Sequence, residues 1–220
     1  IRDEAIGIYH MVEGNEGNLW VSSPRGGLYI FDRNSEKFTR FTYNPSLDSL
    51  LGNATINVLH KDEKGCIWIG TQRVLFVLNP ETGEMIHHAS NMADPAALWG
   101  GQHAFCEDNV GNMWIGHFGL GISMLERKEK DRIFTSEKPV FHHYYSLSGS
   151  PSAPSSISVE QAHRDRTGRM WFGTTGGLNL YSPAEKRFYS FDESDGLAND
   201  NIRGILEDDH GNLWVSTLNG

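Results

Sequence analysis

Glu207-Asp208-Asp209-His210-Gly211-Asn212-Leu213-Trp214-Val215-Ser216-Thr217 decides the fold, because its core recurs along the chain. The recurring unit is Gly, a variable residue, Leu/Ile/Met, Trp, Val/Ile/Phe, then Gly or Ser. Other copies start at Gly17, Gly65, Gly111 and Gly168, so Trp20, Trp68, Trp114, Trp171 and Trp214 share one motif. These tryptophans are 48, 46, 57 and 43 residues apart. A period of about 40 to 50 residues marks an array of repeats, and four short strands fill a repeat of that length.

Working outward from the motif divides each repeat into strands. An extended stretch precedes it, such as Ile56 to His60 or Ile202 to Leu206, and a turn ending in the motif Gly joins the two into a hairpin. In four copies Asp62, Asp108, Asp165 and Asp208 stand three residues before that Gly, where Asp can cap a turn through its own backbone. After the Trp strand, Gly26-Gly27-Leu28-Tyr29, Gly119-Leu120-Gly121-Ile122 and Gly176-Gly177-Leu178-Asn179 open a third strand. A fourth follows at Phe38 to Phe41 and Phe188 to Phe191. Four strands per repeat read as a propeller blade. The Trp strands are apolar at consecutive positions, as expected where neighbouring blades cover both faces. The sequence therefore predicts an all-β chain with negligible helix: four complete blades and part of a fifth, over residues 1 to 220 as one propeller fragment. Arg73 to Phe76, where the Gly-Gly pair is missing, and an excursion from Glu126 to Ile157 are candidate specialised loops.

Composition limits the partners. The net charge is -9, with no Lys/Arg run that could track a phosphate backbone, so nucleic acid is excluded as an expected partner. The longest apolar stretches are strand-sized, far below the roughly 20 residues that span a bilayer. Cys66 and Cys106 occupy different repeat positions, which does not favour a disulfide.

The stretch Glu207 to Thr217, with Gly196-Leu197-Ala198-Asn199-Asp200-Asn201-Ile202 before it, resembles the two-component regulator propeller repeat. The pattern returns at Asn44 to Leu50 and Gly65 to Thr71. The resemblance implies a fragment of a seven-bladed ring, in the periplasmic sensor region of a hybrid two-component receptor responding to oligosaccharides. It implies as partners a small-molecule or oligosaccharide ligand and the remaining blades and kinase portion of a parent receptor. Open blade faces would further favour a homodimer.

Catalytic chemistry has no evident address. The turn aspartates recur once per blade, whereas glycoside hydrolysis needs two carboxyls roughly 5 to 10 Å apart. No Gly-x-Ser-x-Gly elbow or phosphate-binding loop is present. His87-His88 and His142-His143 point to opposite faces of an extended strand, and His60 and His163 belong to non-adjacent repeats, so no metal or other cofactor is expected. The reading is a non-enzyme. A structural or protein-docking module is one alternative; a propeller lyase or glycosidase is another, for which His103 and Glu160 offer a weak pair. Phe141, Tyr144 and Tyr145 could stack on sugars but fit blade packing as well.

One set of positions varies while its surroundings repeat. Five residues before each turn position stand Tyr9, Asn57, His103, Glu160 and Arg203, at the end of the blade opposite the turn Asp. The loops between second and third strands add Arg25, Arg73, His117, Phe118 and Thr175. From these, Arg25, Arg73, His103, His117, Phe118, Glu160 and Arg203 are the expected ligand-binding residues, with donors and one aromatic suited to a hydroxyl-rich or anionic ligand.

Overall fold

The structure, a computed structural model, describes residues 7–14, 17–23, 26–135, 138–145 and 152–220. It divides into two compact units, Ile1–Ala89 and Ser90–Gly220. In the first unit, blade 1 holds β1 (Met11–Glu13), β2 (Leu19–Ser22), β3 (Leu28–Asp32) and β4 (Lys37–Arg40). After helix α1 (Pro45–Gly52), blade 2 holds β5 (Ile56–Lys61), β6 (Ile67–Thr71), β7 (Val74–Leu78) and β8 (Met85–Ala89). In the second unit, blade 3 holds β9 (Gln102–Glu107), β10 (Met113–His117), β11 (Ile122–Leu125) and, beyond helix α2 (Arg127–Lys130), β12 (Phe141–Tyr144). Blade 4 holds β13 (Val159–Arg164), β14 (Met170–Thr174), β15 (Gly177–Ser182) and β16 (Arg187–Phe191). Blade 5 has β17 (Ile202–Glu207) and β18 (Leu213–Thr217). Strands pair antiparallel in chain order, giving four four-stranded sheets and one two-stranded sheet.

The Trp strands β6, β10 and β14 are buried at every position, as their two apolar faces predict. The first unit packs Trp20, Leu28, Ile56, Ile67, Ile69 and Phe76 into one cluster. In the second, Trp114, Ile122, Val159 and Phe172 do the same between blades 3 and 4, and Trp171 and Ile202 between blades 4 and 5. First strands of successive blades are neighbours within a unit, β1 beside β5 and β13 beside both β9 and β17.

The helix is where the sequence reading falls short. Asn44 caps α1, its side chain accepting from Leu47 N at 2.9 Å, and Pro45 occupies the first turn, where a missing N–H costs nothing. Leu47 and Leu51, one turn apart, then anchor the helix in the core of the first unit. The matching place before blade 5 forms only a 3-10 turn at Glu193–Asp195. Within the Glu126 to Ile157 excursion, α2 is held by a buried ion pair from Lys130 to Glu107. The excursion also carries β12, the outer strand that Phe141 and Tyr144 predict.

Candidate functional site

At the turn end of blades 2 to 5 one carboxylate organises the hairpin. Asp165 accepts from the backbone N–H of Thr167 and Arg169 at 3.0 and 2.9 Å, and from the Trp171 indole at 2.9 Å. Asp62, Asp108 and Asp208 likewise accept from Trp68, Trp114 and Trp214, each at 2.9 Å. Burial opposes the charge on Asp165, but hydrogen bonds from Trp171, Thr167 and Arg169 outweigh it and hold the carboxyl well below its ordinary range. Blade 1 has Gly14 at this position, and a Cβ there would lie 2.9 Å from Trp20 Nε1, so the indole takes the space the side chain would need. These aspartates are structural, as their once-per-blade recurrence implies.

The opposite end is built on a backbone irregularity. In β5, Ile56 pairs with Thr71 and Val58 with the adjacent Gly70, leaving Asn57 unpaired. The same shift leaves His103 unpaired in β9, Glu160 in β13 and Arg203 in β17. Each is the extra residue of a β-bulge, the device that re-aims one side chain out of a strand's alternation. Four of the five variable positions of the sequence thus coincide with bulges; the fifth, Tyr9, precedes β1, whose pairing with β2 has no shift.

In the second unit three of these residues meet because β9, β13 and β17 lie side by side. Arg203 Nη1 is 4.0 Å from Glu160 Oε2. His103 feels Glu160 electrostatically, yet burial dominates and lowers its pKa, favouring a neutral imidazole. Its Nε2 is out of solvent with no hydrogen-bond partner. Phe118, from the β10–β11 loop, packs against the His103 ring with centroids 5.7 Å apart and remains 58% exposed. Together they offer an apolar ring, a carboxylate and a guanidinium at one surface.

In the first unit Arg73 is exposed beside a cleft of about 470 Å³ that Asn53, Thr55, Thr71 and Gln72 also line. Gln72, which the sequence reading passed over, donates to the bulge residue Asn57 at 3.4 Å. Arg25 lies outside the described residues. His117 departs from expectation. Its ring is fully buried and both nitrogens are engaged, with the Gly101 carbonyl at 3.2 Å and Ser123 Oγ at 2.6 Å, so it offers a ligand nothing. Among the described residues no group of His, Cys, Asp and Glu could hold a metal ion, and neither Cys66 nor Cys106 is in a disulfide.

Repeated four-stranded sheets with a buried Trp strand, a fixed Asp turn at one end and variable bulge residues at the other define a β-propeller. Residues 49–73 and 196–219 match the two-component regulator propeller model, and the chain carries repeats of that kind.

Among solved structures it is similar to the extracellular domain of a hybrid two-component system of B. thetaiotaomicron, at 25% identity and TM-score 0.76, covering 96% of this chain and 26% of that one. It also resembles PorZ, a surface component of the type-IX secretion system of Porphyromonas gingivalis, at 19% identity and TM-score 0.77, covering 100% and 33%. Virginiamycin B lyase from Staphylococcus aureus shares the fold at 14% identity and TM-score 0.66, covering 99% and 66%. The chain spans about a quarter of the first of these and a third of the second. The comparison with curated proteins gives no match. No helix among the described residues is long and apolar enough to cross a membrane.

Proposed function

We propose that this chain is an extracytoplasmic sensing segment of a two-component receptor whose bulge end binds a hydroxyl-rich ligand, an oligosaccharide by chemical class. One observation carries the reading. The same backbone bulge recurs in four first strands while its side chain changes from Asn57 to His103, Glu160 and Arg203. A structural residue repeats with its scaffold, as the turn Asp does; a recognising residue is free to differ.

The chemistry fits a sugar. Phe118 offers an exposed aromatic face for the apolar face of a pyranose ring, Glu160 accepts from hydroxyls and Arg203 donates to them. Because Arg203 and Glu160 sit 4.0 Å apart, each keeps capacity for a ligand. Arg73, Gln72 and Asn57 would provide a second polar contact surface in the first unit. Similarity to a receptor extracellular domain supports the signalling role and the location.

Isothermal titration calorimetry with a panel of neutral and acidic oligosaccharides, followed by product analysis, tests this. Saturable binding without turnover is expected, weakened by Glu160→Ala. Turnover that depends on His103 would make the chain a lyase or glycosidase instead, and binding unaffected by any bulge substitution would overturn the site.

A further inference from the structure

A file of side chains crossing blade 3 is short of one hydrogen. His117 Nδ1 lies 3.2 Å from the Gly101 carbonyl, and its Nε2 lies 2.6 Å from Ser123 Oγ. The same hydroxyl lies 2.8 Å from His143 Nδ1, and His143 Nε2 lies 3.1 Å from the Ala97 carbonyl. A carbonyl only accepts, so His117 Nδ1 and His143 Nε2 must both carry hydrogen. With both rings neutral, the two nitrogens facing Ser123 are then acceptors, and the hydroxyl has a single hydrogen to give. Four contacts require four hydrogens, and the neutral side chains hold three. His117 and Ser123 are both 0% exposed, and Trp99 stacks face to face on half-buried His143 at 3.8 Å, so solvent has no access to the two contacts of His117.

We infer that His117, Ser123 and His143 form a binding site for one proton. With His117 as imidazolium, Nδ1–H donates to Gly101 and Nε2–H to Ser123. Ser123 then donates to His143 Nδ1, and His143 Nε2–H to Ala97. Placing the charge on His143 completes the same file in the other direction. Either way every contact is made, and Ala97 and Gly101, in the segment before β9, are tied to β10 and β12.

The electrostatic surroundings limit uptake to one proton. Burial pushes His117 down to about 3 and His143 to about 4; His143 further disfavours charge on His117, and His142 on His143. His103 faces His117 from β9 and adds to that, with Glu160 acting on His103 in turn. On β12, His142 flanks His143 and contacts Glu126 at 3.3 Å. Neither ring of the pair touches a carboxylate among the described residues. The pair therefore titrates as a unit. The missing hydrogen bond draws the first proton on at a pH above either ring's own tendency, and repulsion between two buried imidazolium ions keeps the second off.

Phe118 follows His117 in the chain and packs on His103, so proton uptake would add positive charge beneath the bulge row and favour an anionic ligand at low pH. That consequence rests on the ligand reading above; the proton count does not.

Long-range ¹H–¹⁵N NMR of the imidazole nitrogens, on the full chain without ligand from pH 8 to pH 5, reads the site directly. The expected result is uptake of one proton per pair, on His117 Nε2 or His143 Nδ1. His143→Gln, whose amide can donate to both neighbours without charge, should abolish uptake and keep the β-sheet circular dichroism. Ser123→Ala should abolish it as well. Two rings that stay singly protonated to pH 5, or uptake unchanged in His143→Gln, would overturn the assignment.

Discussion

At the turn end of blades 2 to 5 the same carboxylate accepts from the same indole, at 2.9 Å every time. At the bulge end the backbone repeats just as faithfully, yet Asn57, His103, Glu160 and Arg203 share no chemistry. In these turns the Asp accepts from backbone N–H groups and from the indole, and an exchange there removes that acceptor. A bulge needs only an extra residue, and what it carries is free. The difference teaches that in blades 2 to 5 one end holds a residue fixed by the fold, while the other holds a position whose side chain is free to vary.

Removing a turn carboxylate should produce the largest effect. Asp165→Ala leaves the buried Trp171 indole and two backbone N–H groups without partners, and should cost about 2 to 3 kcal/mol in urea unfolding. A cost below about 0.5 kcal/mol, the scale of ordinary surface changes, would break the comparison.

Acid should reveal the same group. The Asp165 pKa is depressed in the fold, so its contribution is fully present above the unfolded carboxylate value near 4 and is lost as pH falls below it. Urea midpoints measured from pH 5 to pH 2 should decline less steeply for Asp165→Asn than for the parent chain. Parallel declines would assign the acid sensitivity elsewhere.

A smaller loss is expected from Asp208→Ala. Its turn has the same geometry, but Trp214 is 65% exposed where Trp171 is 8%, so water can replace the lost acceptor. Equal costs at the two positions would show that burial does not set the value of the turn.

Legibility in the sequence followed the range of each interaction. The Trp strand and the Asp turn close within seven residues, so their spacing exposes them. Helix α1 is equally local, yet in the sequence Asn44-Pro45 with Leu47 and Leu51 shows only as a repeat of the stretch before blade 5. The bulges depend on register against a partner strand, which one strand's sequence does not record; what it does record is a polar residue beside fully buried Ile56 or Ile202. The loop position of His117 points to the ligand surface. Its ring turns inward because the Gly101 carbonyl and Ser123, the latter across β11, supply partners there.

The central claim is the division between the two ends, and calorimetry on three single variants tests it most directly. For an oligosaccharide that binds the parent chain, Glu160→Ala and Arg203→Ala should each raise Kd about tenfold or more while changing unfolding stability by less than about 0.5 kcal/mol. Asp208→Asn should leave Kd unchanged. Bulge variants that bind like the parent, with affinity lost only in the turn variant while it remains folded, would contradict the account.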